Sequence, residues 1–254
     1  MIELTEHGRV AVLTMTHGKA NALDLEFCRA LTAQLDACRQ SSLRALVITG
    51  GGRMFSAGVD LPRIVDEGAP YVRAFLPAVN KAFETLFSFP RPVVAAVNGH
   101  AIAGGCVMAC AADSRLMARA DARIGIPELL VGVPFPVVPL EIMRFAAPSS
   151  VSALAYRGVT LAPDEALRHG LIDVVVDPDR LLGDAIAAAE SLAALPAAAF
   201  EVTKAQLREP AMQRMRTGAD IDAVVQDVWA SPETLDTIRD YVARIIKRSP
   251  PSVS

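Results

Sequence analysis

The sequence is short of the residues that announce many common chemistries. Aromatic residues make up only 5% of the 254, with a single tryptophan, Trp229. The four cysteines, Cys28, Cys38, Cys106 and Cys110, form no CxxC pair, so neither a disulfide framework nor a thiol-redox motif is expected. Cys106 and Cys110 stand four apart in an apolar segment with no histidine or acid at a ligand spacing, which fits buried core residues better than a metal site. The four histidines, His7, His17, His100 and His169, are scattered. No apolar run approaches the roughly 20 residues needed to cross a bilayer. The start, Met1-Ile2-Glu3-Leu4, lacks the basic opening of a secretory signal. A cytoplasmic protein with no membrane partner is the expectation. The net charge is −3, without a basic excess, which argues against a nucleic-acid surface but leaves room for a small anionic ligand. The dinucleotide fingerprint GxGxxG is missing. The phosphate loop is missing too, because Gly50-Gly51-Gly52-Arg53 is not followed by Lys-Ser/Thr. No GxSxG element supports a serine hydrolase.

What is present is a globular chain, 52% apolar and 21% charged, able to bury a large core. The stretch Arg9–Met15 is β-branched and apolar and reads as a strand. Asp24 precedes Leu25, Cys28, Leu31, Leu35 and Cys38, whose spacing predicts an amphipathic helix with Asp24 as its N-cap. Ala45–Ile48 and Pro92–Val97 are continuous apolar runs, the pattern of strands covered on both faces. Tyr71, Phe75, Val79, Phe83 and Leu86 predict a helix from about 71 to 87, stopped by Pro90 and Pro92. Gly104–Ala112 is apolar all round and belongs in the core if helical, and short strands are expected near Arg115–Met117 and Arg123–Ile124. Alternation of strands and helices gives an α/β class. Beyond about residue 180 only helices are predicted, at 184–194, 198–208, 211–229 and 233–247. Their apolar residues, Val224, Val225, Val228 and Trp229 among them, need cover from the core or from another subunit.

Two glycine-containing turns and one acid stand out as chemistry. Phe55–Leu61 follows a buried strand, and Asn98–Cys106 leads into the apolar helix. A helix start offers backbone N–H groups without partners and a partial positive charge, and glycine lets a ligand approach them. Two such N–H groups aimed at one point form an oxyanion hole, in which losing one donor costs about 3 kcal/mol of barrier. A Gly-Gly at a helix start is more often a packing device than a catalytic one. Glu128, in Ile126-Pro127-Glu128-Leu129-Leu130-Val131, is a lone carboxylate among apolar neighbours. Burial would raise its pKa toward neutrality and suit it to general base work; the alternative is a carboxylate satisfied at a helix start. His100 adjoins the second turn and reads as structural.

Taken in order, Asn21-Ala22-Leu23, Ser56-Ala57-Gly58-Val59-Asp60-Leu61, Asn98-Gly99 through Gly104-Gly105-Cys106, and Pro127-Glu128 resemble the crotonase (enoyl-CoA hydratase/isomerase) superfamily. Leu161–Asp173 resembles that family's close of the core, so the likeness spans nearly the whole chain. The resemblance implies a crotonase-like spiral of ββα turns over about residues 1–190 and a helical oligomerisation region over 191–254, assembled as a homotrimer or dimer of trimers. It implies an acyl-CoA thioester as substrate, with no metal or redox cofactor. The thioester oxygen would lie on the N–H groups of Val59 and Gly104. Ala22, Ala57, Asp60, Leu61 and Gly105 would border the ligand, and Phe135 an acyl pocket. Lys19 either meets a CoA phosphate or is a solvated surface lysine.

Two departures from the family's hydratases bear on the reaction. Hydratases carry a second glutamate directly after the Gly-Gly-Cys turn, where this chain has Val107. They also have a Gly-Gly that Gly132-Val133-Pro134-Phe135-Pro136-Val137 lacks. One carboxylate suffices to move a proton from C2 to C4, so the sequence resembles Δ3,Δ2-enoyl-CoA isomerases of the mitochondrial type. A hydratase or other crotonase-type lyase or hydrolase is the alternative, with Asp66 or Glu67 assisting Glu128. A CoA-binding protein without turnover is another.

Overall fold

The computed structural model describes residues 1–248. The chain opens with strand β1 (Ile2–His7), antiparallel to β2 (Val10–Met15), and helix α1 (Leu25–Gln40). Three spiral turns follow. The first is β3 (Ala45–Gly50), β4 (Met54–Ser56) and α2 (Leu61–Phe87). The second is β5 (Val93–Val97), β6 (His100–Ile102) and α3 (Gly104–Cys110). The third is β7 (Ser114–Ala118), β8 (Ile124–Gly125) and the helices α4 (Glu128–Val131), α5 (Val137–Ala146) and α6 (Val151–Arg157). The core closes with β9 (Thr160–Leu161), α7 (Pro163–Arg168) and β10 (Val174–Val176). Helices α8 (Leu181–Ala193), α9 (Ala197–Thr217), α10 (Ala219–Ala230) and α11 (Pro232–Arg248) complete it.

Each turn sends its first strand to a large sheet, ordered β1-β2-β3-β5-β7-β10, and its second to a small sheet, ordered β4-β6-β8-β9. From β2 to β10 the large sheet is parallel. This is the expected α/β crotonase-like spiral. The strand side chains alternate between two cores, which explains the unbroken apolar runs. Leu13, Leu46, Ile48, Ala95 and Val97 face the main core with α1, α2 and α3. Val12, Ala45, Val47, Val94 and Ala96 face Leu181, Ala185 and Ala189 of α8. The boundary expected at residue 190 thus falls within a helix that covers the large sheet. β1, mostly exposed on an edge, has too little apolar pattern to be read from sequence.

Two helices differ from expectation. α1 is capped as expected, the Asp24 carboxylate accepting from Phe27 N at 2.7 Å. α2 begins ten residues earlier than its apolar stripe, because Asp60 caps a first segment by accepting from Arg63 N at 3.1 Å. Gly68, at φ 65°, then bends the chain into the stripe-bearing segment. α9 runs through Pro210 to Thr217 instead of breaking near 210. Arg208, Ala211 and Met215 are buried on both sides of that proline, and their packing outweighs the backbone bond it removes. Among the described residues no single helix is long and apolar enough to span a membrane.

The terminal helices fold back on their own chain. Trp229 and Val225 of α10 and Ile238 of α11 are buried in the main core. The cover that the sequence demanded for Trp229 and Val225 therefore comes from the core of the same subunit.

Candidate active site

The two glycine turns meet beneath α2. A Cβ added to Gly58 would lie 3.2 Å from the Gly104 nitrogen and 2.6 Å from the Ile102 carbonyl oxygen. One added to Gly105 would lie 2.5 Å from the Ser56 carbonyl oxygen. Both glycines are therefore required for the two turns to touch, and φ 82° at Gly58 demands glycine independently. Asn21, itself at φ 47°, ties the region together, its Nδ2 donating to the carbonyls of Met54 and Phe55 at 3.1 and 3.2 Å. Ser56 Oγ donates back to the Asn21 carbonyl at 2.7 Å.

The two candidate N–H groups are left free by this construction. Val59 forms a parallel bridge with Leu23. The bonds of that bridge run from Leu23 N to Gly58 O and from Asp60 N to Leu23 O. In such a pairing the bridged residue's own N–H points away from its partner, so that of Val59 is not spent on Leu23, and Val59 lines the cavity. Gly104 is the first residue of α3, where the helix supplies no acceptor for its N–H. Ala103 just before it holds φ 51° and ψ −121°, a strained conformation of the kind that collects at functional sites.

Both residues border a cavity of about 160 Å³, which Glu128 also lines. Glu128 is the first residue of α4, placed by Pro127 at the end of β8. It is buried, and Oε2 has no hydrogen-bond partner. Burial pushes its pKa from 4.5 up to about 8, outweighing the one stabilising contact, from its own backbone N–H. Glu128 does stand at a helix start, as the alternative reading had it, but one of its oxygens is left unsatisfied there. Val107 also lines the cavity and is fully buried, so the place of a second acid is apolar.

The structure sorts the other expected residues. Ala57, Leu61 and Phe135 line the same cavity. Ala22 and Asp60 flank the Leu23–Val59 bridge without lining it, and the Asp60 side chain is occupied as the α2 cap. Gly105 packs on Ser56 instead of facing the cavity. Asp66 and Glu67 are exposed within the first segment of α2, neither lines the cavity, and Glu67 pairs with Arg63 at 2.6 Å. Lys19 is exposed. Cys106 and Cys110 are buried and free. Sequence reasoning missed the part played by the C-terminal helices. Trp229 and Tyr241 enter the cavity wall beside Phe75, Leu76 and Val79 of α2. The isolated tryptophan in an apolar helix was the one available signal.

A CoA thioester oxygen placed between the Val59 and Gly104 N–H groups would share one largely apolar cavity with Glu128. That arrangement can take a proton beside a carbonyl and hold the resulting enolate. Comparison with known proteins agrees. Residues 5–243 match the enoyl-CoA hydratase/isomerase family model. A Thermus thermophilus protein with an enoyl-CoA hydratase name is 30% identical over 97% of this chain and 98% of its own. A Salmonella paratyphi A carnitinyl-CoA dehydratase is 34% identical over 75% of this chain and 74% of its own. The human mitochondrial Δ3,Δ2-enoyl-CoA isomerase superimposes with a TM-score of 0.93 at 25% identity, covering 98% of this chain and 99% of that one. The chain belongs to the enoyl-CoA hydratase/isomerase, or crotonase, family.

Proposed function

We propose that this enzyme is an enoyl-CoA isomerase that shifts the double bond of a 3-enoyl-CoA to the 2-position. The observation that carries the reading is the single unpaired carboxylate, Glu128, in an apolar cavity where Val107 stands in place of a second acid. Hydration needs a water oriented and a proton delivered, work suited to two carboxylates. Moving a proton needs one.

The thioester oxygen accepts from the N–H groups of Val59 and Gly104. The Glu128 carboxylate takes the proton from C2, and the electrons of that bond form a dienolate whose negative charge rests on the thioester oxygen. The carboxylic acid so formed then gives a proton to C4, leaving the double bond conjugated with the thioester. Glu128 ends as it began, and no redox step is involved. A pKa near 8 makes the carboxylate a stronger base than an exposed glutamate while keeping part of it ionised at neutral pH. Ala57 and Leu61 border the thioester end and Phe135 the acyl end, while Ala22, Asp60 and Gly105 support the ligand groove through backbone atoms.

The test is ultraviolet absorbance of the purified protein mixed with a 3-enoyl-CoA. A rise from the conjugated thioester supports the reading. A flat trace with CoA binding intact sinks it and favours hydration, hydrolysis or a binding role. The homotrimer or dimer of trimers is part of the same proposal. Its support is the apolar side chains left exposed on α9 and α10, such as Leu207, Ile221 and Val224, and sedimentation as a monomer would refute it.

A further inference from the structure

The cavity walls bear on which acyl groups fit, a question that rests on the isomerase reading for turnover but not for binding. The cavity measures about 160 Å³. An apolar protein cavity of ~150 Å³ takes up one benzene molecule, six carbon atoms. Here the same space must hold the thioester carbon as well as the chain.

The wall that Trp229 supplies is fixed in place. Trp229 is only 3% exposed, and its Nε1–H donates to the Pro134 carbonyl at 2.8 Å. Swinging the indole aside breaks that bond and strands both groups. Helix α10, which carries Trp229, is tied down again at Asp222. The Asp222 carboxylate accepts from Val137 N at 2.8 Å and from Asn80 Nδ2 at 2.9 Å. Beside it the wall continues along α2, where Phe75 and Phe83 are buried. Lengthening the cavity therefore means displacing a clamped helix.

The lining is also chemically plain. Its polar side chains are Glu128, Tyr241 and Trp229, and the indole N–H is already engaged. Among the described residues, and apart from the base itself, the Tyr241 hydroxyl is the one lining side-chain group left to pair with a polar acyl group, and no cation lines the cavity to meet a second negative charge.

We propose that the site takes hydrocarbon acyl groups of about four to six carbons, without charge or hydroxyl beyond the thioester, and that Trp229 sets the upper limit. Specificity for short chains follows from a pocket closed by the protein's own C-terminal helices.

The experiment is calorimetric titration of the full-length protein with butyryl-, hexanoyl-, decanoyl- and palmitoyl-CoA. These saturated thioesters have no double bond to move, so binding is read apart from turnover. Affinity should climb about fourfold per methylene from butyryl to hexanoyl, the gain for a buried CH₂, and then stop climbing. Trp229→Ala should raise the decanoyl-to-butyryl affinity ratio by about tenfold, the gain of one to two newly buried methylenes. Trp229→Phe, which keeps a ring in the wall, should raise it by less and guards against a misfolded alanine variant. Affinity that keeps rising through decanoyl-CoA in the wild type overturns the proposal, as does a ratio unchanged in both variants. Carnitinyl-CoA binding more tightly than hexanoyl-CoA overturns the hydrocarbon assignment. The expected profile in a protein that fails to isomerise any 3-enoyl-CoA would sustain this inference and sink only the isomerase reading.

Discussion

Asp113 and Glu128 are both carboxylates enclosed by the fold, and the protein treats them in opposite ways. Asp113 accepts from Lys204 Nζ at 2.6 Å, Arg208 Nη2 at 2.7 Å and Val93 N at 2.8 Å. Lys204 and Arg208 are 7% and 4% exposed, and Arg208 also donates to the Phe87 and Ala112 carbonyls. Burial pulls Lys204 down to about 8 while Asp113 opposes it. Glu128 has apolar neighbours and an oxygen with no partner. A buried acid is thus no sign of function in itself. The acid whose valences are filled pins α9 onto β5 and the end of α3. The acid left unfilled is available for a reaction.

The sharpest break between them is a paired neutralisation. Glu128→Gln should lower kcat/KM by about 10³- to 10⁴-fold, the upper range for loss of a general base, without lowering stability. Asp113→Ala should leave Lys204 and Arg208 as uncompensated buried cations and cost about 3–5 kcal/mol of unfolding free energy in urea. Wild-type-like turnover in the first variant removes Glu128 from the mechanism. Wild-type stability in the second means that the cluster is no clamp.

Gly58→Ala tests the hole rather than the base. The added methyl would meet the Ile102 carbonyl oxygen at 2.6 Å and the Ala103 Cβ at 2.9 Å, forcing the two turns apart. Displacing one donor should cut kcat by about 10²- to 10³-fold, while binding of a saturated acyl-CoA weakens much less. An equal loss in both would show that Gly58 serves folding alone.

Acidity gives a smaller and graded contrast. Because the base must be ionised, kcat/KM should climb about tenfold per pH unit below a pKa of about 8 and level off above it. The same shift has an opposite signature in stability. The folded-state pKa lies above the ordinary 4.5, so the folded protein holds a proton that the unfolded chain releases between these values. Wild type therefore loses stability as pH rises from about 4.5 to 8, whereas glutamine at 128 does not titrate. Melting temperatures of Glu128→Gln and wild type should diverge, in favour of the variant, between mildly acidic and mildly alkaline buffer. A constant difference would contradict the buried, unpaired carboxylate.

The smallest expected effect is that of Val107→Glu, which places a second carboxylate beside the first. Trace hydration of a 2-enoyl-CoA would sharpen the account. Loss of folding is the competing outcome, because Val107 is fully buried and a new charge there has no partner.

How legible the site was follows the same contrast. Glu128 stood out because it breaks an apolar run locally, and the two glycine turns because turn chemistry is local too, but singling out Val59 and Gly104 within them took the resemblance to the family. The α/β class came through because each buried strand is a short apolar run bounded by turn residues, whereas the ββα spiral was implied only by the resemblance to the crotonase family. The clamp was invisible, since Asp113 and Lys204 are 91 residues apart and neither carries a local signal. The first segment of α2 was missed because Asp60, Gly68 and Pro70 look like loop chemistry until the cap and the bend are seen together. Trp229 was noticed as needing cover, but its place in the cavity wall depends on how α10 returns across α2, which no local pattern specifies.

The most direct test of the account follows one absorbance band with two substrates. With a 3-enoyl-CoA the conjugated thioester should appear, and with the matching 2-enoyl-CoA the band should stay, because one carboxylate moves a proton but does not add water. Loss of the band from the 2-enoyl-CoA at a rate comparable to its appearance from the 3-enoyl-CoA would contradict the claim that a single unpaired Glu128 makes this an isomerase.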